Sequence, residues 1–249
     1  GLLLSMKFGL ANSVNTVTTY IMKQFGPHAV VDLARKMGIT SHLSAVPSIC
    51  LGTFDLSVYE MVGAYSTFAN KGVWTQPIIV TRIEDKNGVL LEEFAPQTTE
   101  AMSAQTADLM VRMLQGVVDG VQNPEDGTKK GTGVRLRFRY QFENEIGGKT
   151  GTTQNNSDGW FMGVTPNLVT GVWSGNEDRS VHFRTTYYGQ GANMALPVWA
   201  EYMQRVYADT LELGIYPEKF DISKSVDVLL DCGEQFQDLN ENNNFEEEF

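Results

Sequence analysis

The sequence predicts an α+β fold, and three observations carry that expectation. Apolar residues recur at helical spacing through the first third of the chain. Short strand-forming runs separated by tight turns follow one another between residues 144 and 175. A further apolar run after them has helical character again, so helices flank a set of consecutive antiparallel strands, and no internal repeat interrupts the pattern.

In chain order, Asn12 or Ser13 is expected to N-cap a helix carrying Val17, Tyr20, Ile21 and Phe25, which Gly26-Pro27 stops. Pro27 suits the first turn of a second helix, with Val30, Leu33, Ala34 and Met37 at helical spacing before Gly38. A third helix is predicted from Asp55 or Ser57 to about Gly72, with Leu56, Val58, Met61, Val62, Tyr65 and Phe68 as core contacts. The period then changes. Ile78–Ile83 and Val89–Phe94 around Asp85-Lys86-Asn87-Gly88 read as a β-hairpin, because Asn-Gly favours tight turns with positive φ. Ser103 opens a helix presenting Leu109, Met110, Met113, Leu114 and Val117, and the Gly-, Asp- and Lys-rich stretch 123–133 reads as a loop. Strands are predicted over 144–152, 159–164 and 168–175, with Thr165-Pro166-Asn167 as the turn between the last two. A packed helix is predicted to start near Leu196. Trp160 and Trp173 are expected in the core rather than in a cleft, while Tyr187 and Tyr188 are left open as cleft residues.

The composition narrows the class of function. With 249 residues and 42% hydrophobic content the chain can bury a sizeable core. A formal charge of −11 argues against nucleic acid or an anionic membrane surface as partner, since both reward Lys and Arg. No apolar run approaches the roughly 18 residues a bilayer span needs, and Gly1–Lys7 is too short and lacks a basic start. Because the chain begins with Gly, it is expected to be a processed or engineered fragment. Residues 237–249, polar, acidic and Asn-rich, are expected to form a disordered tail, with an acidic interaction tail as the functional alternative. Residues 1–236 are expected to form the folded unit. Cys50 and Cys232 fit no metal-ligand spacing and are read as two thiols or a disulfide. His28, His42 and His182 form no cluster with Cys, Asp or Glu, so no metal and no cofactor is expected.

The strings that carry chemistry are Ser13-Val14-Asn15 and Gly148-Lys149-Thr150-Gly151-Thr152-Thr153. Each alone has a plain structural reading: Ser13 and Asn15 as a helix cap, Lys149 as a solvated strand residue, the threonines as strand formers. Together, in this order and ahead of a strand-forming run, they match two of the three motifs of serine-acylating enzymes that handle penicillin-like substrates.

With Leu51-Gly52-Thr53, Ala64–Gly72, Asp158–Pro166 and Gly171–Gly175 added in matching order and spacing, the chain resembles the C-terminal part of the transpeptidase domain of bifunctional (class A) penicillin-binding proteins, over roughly residues 5–207. The resemblance implies a β-lactamase/transpeptidase-like fold, an antiparallel sheet packed with helices, here N-terminally truncated. It also implies serine-type D-Ala-D-Ala transpeptidase activity on peptidoglycan stem peptides and binding of β-lactam antibiotics. By the resemblance, Ser13, Asn15 and Lys149 are catalytic: the Ser13 hydroxyl relays protons, Asn15 holds the acyl-side amide and Ser13, and Lys149 places a positive charge near the substrate carboxylate. Thr150, Gly151, Thr152 and Thr153 bind substrate, Gly151 by letting the peptide lie along the strand, and the Thr152 N–H serves as an oxyanion donor. The resemblance further implies a parent anchored in the cytoplasmic membrane, with this domain on its periplasmic or extracytoplasmic face and a glycosyltransferase domain upstream.

One element of the pattern is missing. No Ser-x-x-Lys occurs in the 249 residues, and Ser5-Met6-Lys7 has the wrong spacing to place both side chains on one helical face. No nucleophile and no general base are therefore assigned, and the fragment alone is expected to be inactive. The strands that the resemblance places upstream are expected to be lacking too, leaving an exposed sheet edge that predicts dimerisation, poor solubility or a repacked edge. Two alternatives stay open. A serine β-lactamase-type hydrolase shares the motif set, but it needs a Glu-x-x-Leu-Asn loop that does not occur between Asn15 and Lys149. A non-catalytic cell-wall assembly or binding module is the other.

Overall fold

The Ser5 hydroxyl accepts the Phe8 N–H at 3.1 Å and opens the first helix, α1 (Met6–Ala11), which buries Phe8 and Ala11. The structure, a computed structural model, describes residues 4–223; Cys232 and the tail expected at 237–249 lie outside them. The cap expected at Asn12 or Ser13 does not form. Asn12 instead closes α1, Ser13 takes φ +53°, and Val14 precedes α2 (Asn15–Lys36) with no side-chain cap. The reason is local: the Val14 N–H donates to the Gly9 carbonyl at 2.9 Å, so the chain finishes one helix before it can begin the next. Gly26, with φ +75°, interrupts α2 just before Pro27, as the Gly-Pro signal predicts. A 3-10 turn, Pro47–Leu51, packs against α2.

A capping box between Ser57 and Glu60 starts α3 (Val58–Ala69). Burial alone would raise the Glu60 carboxyl's pKa. Hydrogen bonds from Ser41, Thr40 and Ser57 outweigh that and hold it well below the usual carboxylate range. Strand β1 (Val73–Thr75) follows and pairs antiparallel with β4 (Thr98–Glu100), enclosing the hairpin β2 (Arg82–Glu84) and β3 (Leu90–Glu93). Asp85 organises that hairpin's turn, its carboxylate accepting the Asn87 and Val89 N–H groups at 2.8 and 2.9 Å. The strand predicted from Ile78 is shorter, beginning at Arg82. Both faces of this hairpin are exposed, so no burial extends the pairing.

Helix α4 (Ala104–Asp119) buries Ala107, Val111, Leu114 and Val118, a face rotated slightly from the predicted one, with Leu109, Met110 and Met113 half-buried at its flank. Within the stretch expected to be a loop, β6 (Lys129–Lys130) pairs with β5 (Val121–Gln122), which lies just ahead of it, and the residues between them form the turn. That turn is held by Asp126, which accepts from the Thr128 N–H and hydroxyl and from Lys130. A short helix α5 (Arg135–Phe138) leads into a three-stranded antiparallel sheet of order β7-β8-β9, comprising β7 (Gly147–Thr152), β8 (Asp158–Val164) and β9 (Val169–Gly175). The short α6 (Thr186–Gly189) precedes α7 (Gly191–Ala208), which begins five residues before the predicted start and carries Pro197 in its interior. The last helix is α8 (Thr210–Leu213).

The main core lies between the sheet and α7. Ala192, Ala195, Leu196, Trp199, Ala200 and Met203 point inward, and the small residues among them let the helix approach closely. Trp199 is 0% exposed, edge-on to Phe161 at 5.1 Å between ring centroids and close to Phe142 at 6.0 Å. Its indole occupies the space a side chain would need at residue 163, so only glycine fits there. Gly163→Ala is therefore expected to lower stability by about 1–3 kcal/mol through overpacking. Trp199→Ala is expected to lower it by about 3–5 kcal/mol through the cavity it leaves. Urea denaturation midpoints test both, and an unchanged midpoint for Gly163→Ala would show that α7 does not seat on the sheet this way.

Candidate active site

Strand alternation sends the two faces of the sheet to different tasks. Thr150 pairs with Phe161 and Gly148 with Gly163 on the face covered by α7. Lys149 pairs with Met162, and Gly151 with Trp160, so these side chains fall on the opposite face, which α3 approaches. Between that face and the segment leading into α3 lies a cleft of about 800 Å³. Leu56, Met61 and Tyr65 form one wall, and Trp160, Met162 and Trp173 form the other. Trp160 and Trp173 therefore belong to the cleft rather than the core. Trp173 is 39% exposed, and its indole N–H donates to Asp158 at 3.1 Å. The core tryptophan is Trp199. Tyr187 and Tyr188 pack edge-on against each other at 5.0 Å and are exposed.

Lys149 is half-buried at the edge strand of the sheet, where desolvation lowers its ammonium pKa from 10.5 to about 8. Its Nζ donates to the Ser13 hydroxyl, which lies 136 residues away in sequence, and to the Thr150 carbonyl at 2.8 Å. The turn between α1 and α2 thus presents Ser13 to the lysine, and Asn15, exposed, takes the first position of α2 two residues on.

The threonines are engaged differently. The Thr150 hydroxyl donates to Thr132 Oγ1 at 2.8 Å. Thr152 Oγ1 accepts the Gly191 N–H at 3.0 Å, which ties the end of β7 to the start of α7. Thr153 Oγ1 accepts the Ser157 and Asp158 N–H groups at 3.1 and 3.0 Å and holds the β7–β8 turn. Gly151 leaves the middle of β7 without a side chain, and the outer edge of β7 has no strand partner among the described residues.

Sequence reasoning missed Thr132. Its N–H donates to the Ala11 carbonyl at 2.9 Å while its hydroxyl meets Thr150, so one residue joins the Ser13 turn to β7. The flanking Gly131 and Gly133 were the available signal of a close backbone approach. Among the described residues, no group of three or more His, Cys, Asp or Glu side chains is placed to hold a metal ion. What remains is a lysine of lowered pKa touching a serine hydroxyl beside an open strand edge. Such a pair can pass protons at near-neutral pH while an extended chain pairs with the strand.

Comparison with known proteins adds to this. A family profile described as penicillin binding protein transpeptidase domain matches residues 3–184. Penicillin-binding protein 1A of Aquifex aeolicus is 32% identical over 202 residues, covering 81% of this chain and 26% of the relative. The chain thus spans about a quarter of the length of that relative. Among solved structures, penicillin-binding protein 1A from Haemophilus influenzae superposes with a TM-score of 0.75 at 23% identity, covering 88% of this chain and 36% of the other. PonA1 from Mycobacterium tuberculosis in complex with penicillin V does so with a TM-score of 0.67 at 22% identity, covering 88% and 60%.

The lowered Lys149 pKa carries a pH signature. Burial penalises the charged form, so the penalty is present below about 8 and is relieved as pH rises toward the ordinary value of 10.5. Relative to Lys149→Met, the wild type is expected to gain stability between those values. Chemical denaturation of both proteins at pH 7, 8.5 and 10 reads the difference, and a gap independent of pH would contradict the burial of this ammonium.

Proposed function

The chain belongs to the penicillin-binding protein transpeptidase domain family, and on that premise we propose that it is the substrate-binding part of a serine-type D-Ala-D-Ala transpeptidase that cross-links peptidoglycan stem peptides. The observation that carries the reading is the Lys149–Ser13 contact, because it joins the two family motifs into one proton-transfer pair across 136 residues. Lys149 also lines a cleft of about 800 Å³, on a strand whose outer edge has no strand partner among the described residues, and this supports the same reading.

Each residue has a chemical task in acyl transfer. Lys149 fixes the substrate's terminal carboxylate electrostatically, and its pKa of about 8 keeps it cationic for most of the time at neutral pH while leaving proton exchange accessible. Its N–H donates to Ser13, so the serine's own O–H is left to pass a proton toward the departing amine. Asn15 holds the acyl-side amide. The Thr150 and Thr152 hydroxyls, steadied by Thr132 and by the Gly191 N–H, complete the carboxylate site beside Thr153. The Thr152 N–H donates to the developing oxyanion. Gly151 lets the peptide backbone pair with β7.

The nucleophile is assigned to no residue here, since the 249 residues contain no Ser-x-x-Lys. The site lies outside the cytoplasmic membrane, on a membrane-anchored parent. Among the described residues, no helix is long and apolar enough to cross a membrane. Penicillin V, bound by the PonA1 relative, belongs to the ligand class this cleft takes.

Intact-mass spectrometry after incubation with benzylpenicillin tests the reading. The full-length parent is expected to gain one stable adduct on a serine outside these 249 residues, and the isolated chain none. In the parent, Lys149→Ala is expected to slow acylation on the order of 10²-fold or more, the scale of losing a positioned proton-transfer group. A stoichiometric adduct on Ser5 or Ser13, or undiminished acylation of the variant, would overturn these assignments.

A further inference from the structure

The two groups of the proton-transfer pair sit on separate elements. Ser13 lies in the turn between α1 and α2, and Lys149 lies on β7. Helix α1 packs chiefly on α4, and α4 packs on β7, so helix packing relates the two groups only indirectly. Ser13 also stands at φ +53°, a backbone region that a residue with a Cβ holds only when its surroundings impose it. The bond from the Val14 N–H to the Gly9 carbonyl closes the turn from its own side, but it does not fix where the turn stands against the sheet.

Residues 130–133 run between the turn and β7 and touch both. The Asn12 side-chain amide donates to the Lys130 carbonyl at 3.4 Å, and the Thr132 N–H donates to the Ala11 carbonyl at 2.9 Å. Both ties hold the residues just ahead of Ser13. On the other side the Thr132 hydroxyl accepts from Thr150, the neighbour of Lys149 on β7, at 2.8 Å. The segment itself is fastened to the end of α4. The Gly133 N–H donates to the Val117 carbonyl at 2.9 Å, and a Cβ at Gly131 would stand 2.6 Å from that same oxygen. Glycine at 131 is what lets the segment come so close.

We propose that Thr132 is a positioning residue for acyl transfer, which together with Asn12 holds the Ser13 turn in register with Lys149 on β7. The inference rests on the transpeptidase reading of the same site and adds to it a group that acts through Ser13 and Lys149 rather than on the substrate. A proton passes between those two side chains only at hydrogen-bond distance, and a misplacement of about 1 Å costs on the order of 10²-fold in rate. Holding a ligand's carboxylate needs no such register, because it depends on charge and on groups of β7 itself. Loss of the Thr132 bond therefore reaches the rate of transfer and leaves the ligand's affinity nearly unchanged. The hydroxyl is the working part, so serine replaces threonine at 132 and valine does not.

The test is the acylation kinetics of the full-length parent with benzylpenicillin, resolved into the affinity of the first complex and the limiting rate of acylation. Thr132→Val is expected to lower the limiting rate about tenfold, the upper range for one lost hydrogen bond, and to leave the affinity within about twofold. Thr132→Ser is expected to keep the wild-type rate within about twofold, since its hydroxyl accepts the same bond. In a Ser13→Ala background, where the pair is already broken, Thr132→Val is expected to cost nothing further. Asn12→Ala carries the test without altering residue 132, with an expected loss of about threefold in the same rate. An unchanged limiting rate in Thr132→Val overturns the inference; if that variant does not fold, an unchanged rate in Asn12→Ala does so. A loss that persists in Ser13→Ala, or one confined to affinity, also overturns it and places Thr132 in the carboxylate site instead. In each of these outcomes the wild-type parent is still acylated and the transpeptidase reading stands, whereas a wild-type parent that takes no adduct overturns both.

Discussion

The seating of α7 on the three-stranded sheet is the constraint from which the rest of this structure follows. Trp199 occupies the space above Gly163 and meets Phe161 edge-on, which commits one face of the sheet to the core. Side chains alternate along a strand, so the residues between those positions have no choice of face. Lys149, Gly151, Trp160 and Met162 must point the other way, toward α3. A one-residue slip of β7 against β8 would turn Lys149 toward α7 and so part it from Ser13. The site's geometry is in this sense a by-product of core packing, and the glycine at 163 bears on it although it lies against Trp199 on the face away from the cleft.

The electrostatics of the site depend on that placement. Lys149 reaches a partly desolvated position at the strand edge, where the ammonium loses hydration and its pKa falls to about 8. Among the described residues its hydrogen-bond partners are a serine hydroxyl and a backbone carbonyl rather than a carboxylate, so burial decides the direction of the shift. The threonine hydroxyls at and just after the end of β7 are held from three directions: Thr150 by Thr132 from the loop before α5, Thr152 by the start of α7, and Thr153 by the hairpin turn itself. Under the proposed reading, a strand edge that accepts an added peptide strand gains from being rigid beforehand, and these bonds hold β7 without using the edge itself.

Much of the local structure was legible in the residues. The helix start at Ser57, the Gly26-Pro27 break, the turn at Asp85–Gly88 and the strands β7 to β9 with Thr165-Pro166-Asn167 between the last two all rest on short-range chemistry and formed where the residues place them, except that β7 begins at Gly147 rather than at 144. Misreadings arose where a specific hydrogen bond or a tertiary partner, rather than residue type, decided the outcome. Residues 123–133 have loop composition, yet Lys129 and Lys130 within them pair with Val121 and Gln122 just ahead of them, around a turn in which Asp126 gathers Thr128 and Lys130. Ser13 has the side chain of a helix cap, yet it sits at φ +53° because Val14 is already bonded back to Gly9. The three tryptophans 160, 173 and 199 are alike in composition, and only the docking of α7 sorts one into the core and two into the cleft.

By itself the sequence determined the α+β class, the order of the longer helices and of the three strands of the main sheet, and the two motif strings that mark the chain's family, because periodicity, capping and turn preference act over a few residues. Tertiary structure alone decided that Ser13 touches Lys149, that Thr132 links the serine turn to β7, and that Asp55 faces Arg179 across the cleft. Those relations join residues far apart in the chain. Their proximity is set by which surfaces the core buries, a balance summed over the whole fold.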